Sequence, residues 1–225
     1  ILSRLARLAF RRAVSNEDVD ELMSFFEQGY EQGGFEKGVQ TAIERILVDP
    51  EFLFRIQRDP PGIEPATAYQ LSSIELASRL SFFLWSSIPD EPLLEAAEND
   101  LLHDPVEFET QVRRMLADER SAALVDNFAS QWLYLRNMRS VAPDLNLFPE
   151  FDDNLREAFQ RETQLFVADQ MRNDRPIVEL LTSDYTFLNE RLARHYKIPN
   201  IYGSRYRRYD FPEGQRGGLL GQGSI

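Results

Sequence analysis

The chain has 225 residues, 43% of them hydrophobic and 28% charged, enough to bury one large core or two smaller ones. A formal charge of −12 argues against a nucleic-acid partner, and the lack of cysteine removes disulfides, thiolate metal sites, cysteine nucleophiles and covalent haem attachment within the chain. Its longest apolar run, Leu80–Trp85, is interrupted by Ser81 and is too short to cross a bilayer.

From Ile1 to Val14, Leu2, Leu5, Leu8 and Ala9 recur at helical spacing among Arg4, Arg7, Arg11 and Arg12. Ser15 and Asp18 then have the spacing of a capping box, which predicts a helix to about Tyr30, ending at the Gly33–Gly34 turn. Another runs from Phe35 to Val48 and stops before Pro50, with Phe52, Leu53, Phe54 and Ile56 as an apolar continuation. The proline- and glycine-rich stretch Asp59–Tyr69 reads as a linker.

Ser72 and Glu75 form a second capping box. Behind it, Ile74, Leu76, Ala77, Leu80, Phe83 and Leu84 cover most of a helix circumference, the pattern of a central helix, with Glu75 and Arg79 as an i,i+4 pair. Pro89 and Pro92 introduce a short helix, and Pro105 starts the next. Ser121 opens a helix whose Leu124, Val125, Phe128, Trp132 and Leu135 form an apolar stripe, so Trp132, like Trp85, reads as core. Pro149 begins the longest helix, to about Arg172. Strand signals are nearly absent before Ile201, after which IYGSRYRRYDF alternates like a short strand or extended arm.

The expected fold class is all-α: an irregular multi-helix bundle of roughly eight to ten helices, with a short extended or β segment near the C-terminus. The expected organisation is an N-terminal helical segment 1–60, a linker 61–68, a main helical domain 69–205, and the start of a following segment, 206–225. Ile1 and the glycine-rich RGGLLGQGSI both look like cut ends, which suggests an excerpt of a longer polypeptide with any targeting signal outside it.

Chemistry-bearing patterns are sparse. His103 and His195 are the only histidines, neither belongs to an E-x-x-H or H-E-x-x-H pattern, and no calcium-loop spacing occurs; no metal or cofactor is expected in this stretch. RGGLLGQG, Arg216–Gly223, lacks the spacing of a phosphate-binding loop, and no G-x-S-x-G is present. Glu162 stands out because helical geometry places it between Phe159 and Phe166 on an apolar stripe. A carboxylate there must be paired, hydrogen-bonded or protonated. An ion pair with an arginine from a neighbouring helix is the structural reading, and a functional carboxylate of raised pKa the sharper one.

DYTFLNERLARHYKIPN, Asp184–Asn200, gathers Asn, Arg, His and Tyr near a helix end. Asp184 or Thr186 can cap that helix, positive charge near its C-terminus complements the dipole, and Pro199 stops it. Asn189 alone is left without a structural role and is the residue there to examine for a ligand. Between Ser86 and Val112 eight carboxylates occur without Lys or Arg, the pattern of a solvated face or, alternatively, of a docking surface for a basic partner at Asp90, Glu91, Glu95 and Glu98. Arg205, Arg207 and Arg208 alternate with Tyr202, Tyr206 and Tyr209, a pattern for pairing with the chain's own carboxylates or for a polysaccharide platform.

Read together, several segments resemble a planctomycete-type family of large exported bacterial proteins, in which cytochrome-c-like domains accompany consecutive helical domains of unknown function. The segments are FRRAVSNEDVDEL with GGFEKGVQTAIERILVDPEFLFR, YQLSSIELASRLSFFLWSSIPDEPLL, NFASQWLYLRNM, FQRETQLF, and DYTFLNERLARHYKIP with RGGLLGQGSI. The resemblance implies an extracytoplasmic location, other domains of the same polypeptide as partners, and haem c in a part outside this stretch. It supplies no catalytic residues.

The leading expectation is a non-catalytic scaffold or docking module. One alternative is part of an oxidoreductase or hydrolase completed by residues beyond Ile225, in which Glu162, Asn189, Arg191, His195 and Arg216 converge on one cavity. Another is a polysaccharide-binding module using Tyr202, Tyr206 and Tyr209.

Overall fold

The computed structural model describes residues 1–55, 62–64, 66–144, 146–212 and 214–225. Most of the linker expected at 61–68 is described, but positions 61 and 65 lie outside those residues. Eleven α-helical segments and one two-stranded antiparallel sheet are present among them, an all-α fold with its β structure toward the C-terminus. The chain divides into two compact units, Ile1–Met115 and Leu116–Ile225.

In the first unit, α1 (Leu2–Phe10) ends at Arg11, whose left-handed backbone turns the chain toward Ser15. Ser15 and Asp18 make the reciprocal capping box that opens α2 (Asn16–Leu47). This span breaks at Gly33–Gly34, where Gly34 adopts φ 78°, ψ −162°, a region essentially reserved for glycine. The two arms fold back on each other, and Arg45 reaches Glu21 at 2.8 Å. Gly29 and Gly38 permit the close approach: a Cβ on Gly38 would sit 2.8 Å from the Phe26 ring, and one on Gly29 would overlap the Thr41 hydroxyl. Leu2, Ala6, Ala9, Leu22, Ala42 and Ile46 form the core of this region. The short α3 (Pro50–Leu53), capped by Asp49, follows.

The second capping box, Ser72 with Glu75, opens α4 (Ser73–Trp85), which packs on α5 (Glu91–Glu98). α4 is not surrounded on all sides as its composition suggests. Ser73, Ala77, Ser81, Leu84 and Trp85 are buried, whereas Phe83 is exposed. Small residues face inward because they let neighbouring backbone come close. Trp85, 3% exposed, donates its indole N–H to the Met115 carbonyl at 2.9 Å, so it is core as expected. Met115 belongs to α6 (Pro105–Ala117).

In the second unit, α7 (Ala122–Leu124) continues through a π-helical turn, Val125–Ala129, into α8 (Ser130–Trp132). The π turn takes up one extra residue and rotates everything beyond it. Leu124, Val125, Ala129 and Leu135 remain buried, but Phe128 and Trp132 are 55% and 52% exposed and stack on each other at 6.0 Å. The expectation that Phe128 and Trp132 belong to the core is therefore corrected, because a 3.6-residue period does not hold across that turn.

The long helix α9 (Asp153–Arg172) starts later than Pro149 because Asp152 supplies its cap, accepting from Leu155 N–H at 2.7 Å. After α10 (Glu179–Thr182), Tyr185–Leu188 forms β1, which pairs antiparallel with β2 (Arg207–Asp210) in the register Tyr185 to Asp210 and Leu188 to Arg207. β1 lies where a helix start is expected, at Asp184 or Thr186, and replaces it, although Tyr185, Thr186 and Phe187 are residue types that favour strands. Helix α11 (Glu190–His195) follows it directly.

Candidate functional site

Glu162 is the centre of the most unusual polar cluster in the second unit. It sits on the inward face of α9 and is 1% exposed. β1 brings Thr186, whose hydroxyl donates to Glu162 Oε1 at 2.6 Å. The end of α11 brings Tyr196, whose hydroxyl donates to Oε2 at 2.6 Å. Tyr196 in turn accepts the Gly223 backbone N–H at 3.0 Å, and the Arg216 guanidinium lies over its ring at 4.0 Å. Beside this, the Thr163 hydroxyl makes 2.5 Å contacts with Gln222 Oε1 and Ser224 Oγ. Gly223 packs so tightly on Phe159 that any Cβ would overlap the ring.

Burial raises the Glu162 pKa, opposed by its two hydroxyl donors and the positive charge of Arg216. The Tyr196 phenol is pushed upward by burial and by the adjacent Glu162 charge. Among the described residues no lysine or arginine comes within ion-pair distance of Glu162, so the expected ion pair is replaced by hydroxyl donors. Both carboxylate oxygens are directed at internal partners. This arrangement can hold a proton, with the Thr186 and Tyr196 hydroxyls each donating to one carboxylate oxygen.

The other candidates separate. Asn189 accepts the Leu192 N–H at 3.1 Å and is the N-cap of α11, the structural role that seemed missing. Arg191 turns to Asp152, 3.2 Å away, and to the Glu150 carbonyl. His195 packs edge-on against Phe159 at 5.1 Å; burial lowers its pKa, assisted by the charges of Arg191 and Arg216. Glu162, His195 and Arg216 thus gather around Tyr196, whereas Asn189 and Arg191 serve the helix ends. No group of His, Asp or Glu among the described residues is arranged to hold a metal ion.

The acidic run is also organised. Asp90 caps α5 and receives two bonds from Arg114, at 2.7 and 2.9 Å. Glu98 receives two from Arg7, at 2.8 and 2.9 Å, and Glu91 pairs with both Arg7 and Arg4. Glu95 is exposed. In the basic stretch, Arg208 pairs with Asp210 at 2.7 Å and lies 3.7 Å over the Tyr185 ring. Tyr206 and Tyr209 pack against the core around Leu155 and Leu188, leaving Tyr202 exposed.

Residues 71–198 match the model of PSD4, a protein of unknown function (DUF1592), and that match covers more than half of the chain. The chain belongs to the DUF1592 family. Residues 1–57 match the model of PSD5, a protein of unknown function (DUF1595). No curated protein and no solved structure matches the chain.

The DUF1592 segment contains Glu162, Thr186, Asn189, Arg191, His195 and Tyr196, while Arg216 and Gly223 follow it. Arg4 and Arg7, which answer the acidic run, come from the DUF1595 segment. Sequence reasoning missed Thr186, Tyr196 and Gly223 as partners of Glu162. No local signal joins residues that far apart; only a polar residue on an apolar helix stripe announced that partners must exist.

Proposed function

We propose that this chain is a non-catalytic helical scaffold, a docking module of a larger exported protein associated with a cytochrome-c-like domain. The observation that carries this reading is the state of Glu162. This buried carboxylate, whose pKa burial raises, directs both oxygens at internal hydroxyls and has no open face. Asn189 and Arg191 have equally complete structural roles. The acidic run supports a docking role, since Glu91 and Glu98 already seat the arginines of the DUF1595 segment. Glu95 and its exposed neighbours leave further acidic surface for a basic partner.

The test is to titrate the chain with the cytochrome-c-like domain of its own polypeptide and follow association by haem absorbance at low and high salt. Saturable binding weakened by salt is expected. Absence of binding at low salt would remove the docking role.

A second reading, an oxidoreductase or hydrolase completed by residues beyond Ile225, is favoured by the convergence of Glu162, His195 and Arg216 on Tyr196. It requires turnover by the full-length protein that disappears in a folded Glu162→Gln variant. Retained turnover in that variant would end it.

A further inference from the structure

In the first unit, an open cavity of about 550 Å³ lies between α1, α3 and α4, within the size range of small-molecule sites. Its lining includes four arginines, Arg11, Arg12, Arg55 and Arg79, against two glutamates, in a chain whose net charge is −12. Both glutamates are committed. Glu51 accepts from Arg12 at 2.8 Å, and Glu75 accepts from the N–H and hydroxyl of Ser72 in the capping box. Arg12 is matched again by Asp18 at 2.7 Å.

Arg11 and Arg55 are different. Arg11 is 6% exposed, and its guanidinium donates only to the carbonyls of Glu51, Phe52 and Phe54 at the end of α3. Its pKa is pushed down by burial and by the like charge of Arg55. Arg55 stands 4.7 Å from the Phe82 ring centroid and Arg11 5.9 Å from the same ring. Neither has a carboxylate partner among the described residues. Arg11 is a buried cation hydrogen-bonded only to carbonyls, and the one carboxylate that acts on it, Glu51, is already paired with Arg12, so positive charge is left in excess at this end of the cavity.

We infer that this cavity is a binding site for a small organic carboxylate with an apolar body, held by the exposed guanidinium of Arg55, with the buried Arg11 adding positive charge behind it. A guanidinium fork matches a planar carboxylate, and Phe10, Phe54 and Ile74 provide apolar wall for the rest of the ligand. A hydrated inorganic anion would satisfy the charge but leave that wall unmatched. This site is separate from the Glu162 cluster and independent of the scaffold role.

Benzoate is the probe. Calorimetric titration into the whole chain should show saturable binding near one site per chain, with inorganic phosphate clearly weaker. Arg55→Gln should weaken benzoate by about tenfold or more, the loss of one charge-assisted contact, while circular dichroism shows an unchanged fold. Arg55→Lys, which keeps the charge without the fork, should fall between the two. No saturable heat up to about 10 mM benzoate, unchanged affinity in Arg55→Gln, or phosphate binding as tightly as benzoate would each overturn the assignment.

Discussion

Replacing Tyr196 by Phe removes one oxygen atom and little else. The ring keeps its packing against Phe159 and under Arg216, so no sizeable cavity opens. Two hydrogen bonds disappear: the 2.6 Å bond to Glu162 Oε2 and the 3.0 Å bond from Gly223 N–H. The first is a bond to a buried carboxylate, a class that contributes about 1.5–3 kcal/mol, and its loss leaves an oxygen without its donor. The second N–H is partly accessible and can turn to water, adding about 0.5 kcal/mol. The expected cost near neutral pH is therefore about 2–3.5 kcal/mol.

The cost should depend on pH in a definite sense. Burial raises the folded-state pKa of Glu162 above its unfolded value. Stability is then fully present below the unfolded pKa and declines as pH rises toward the folded one, by at most about 1.4 kcal/mol per pH unit. Without Tyr196 the folded pKa rises further, so the variant goes on losing stability over a wider range. The difference between wild type and Tyr196→Phe should grow from pH 5 to pH 8. Urea denaturation at both pH values, followed by circular dichroism and tryptophan fluorescence, measures it. A cost under about 0.5 kcal/mol, or one identical at both pH values, would refute the view of Glu162 as a carboxylate held by hydroxyl donors.

Other consequences are as direct. Asn189→Ala should cost about 1 kcal/mol in denaturation experiments, and Asn189→Asp should restore most of it, as befits an N-cap rather than a ligand. Gly38→Ala, which would stabilise an ordinary helix, should here destabilise by about 1–3 kcal/mol because its Cβ meets Phe26; a higher melting temperature would contradict the glycine-packed hairpin. A double-mutant cycle on Arg7 and Glu98 should give a coupling of about 0.5 kcal/mol that shrinks in high salt, as measured by chemical denaturation.

The parts of the fold visible in the sequence are those set by neighbours along the chain. Ser15 with Asp18 and Ser72 with Glu75 cap helices in the structure as their spacing requires. Gly33–Gly34 breaks a helix, and Pro92 and Pro105 stand at the starts of two more. The burial of Glu162 was also legible, because one helix stripe suffices to place it. Asn189 shows where such reasoning stops. Its capping role became clear only once Tyr185–Leu188 was known to be a strand.

Local sequence therefore determined an acidic, all-α chain, most of its helix boundaries and one carboxylate in an apolar setting. Tertiary structure decided what those residues meet. β1 exists because β2, about twenty residues later, supplies its hydrogen bonds, and a four-residue segment has no such partner within itself. Glu91 and Glu98 face arginines more than eighty positions away, which makes part of an acidic run an internal seam. Trp85 and Trp132 carry similar local patterns, yet a π turn before Trp132 rotates it to solvent while Trp85 reaches the Met115 carbonyl. Helix caps and periodicity are settled within a few residues, whereas pairing, burial and charge compensation depend on contacts that the chain makes only after it folds.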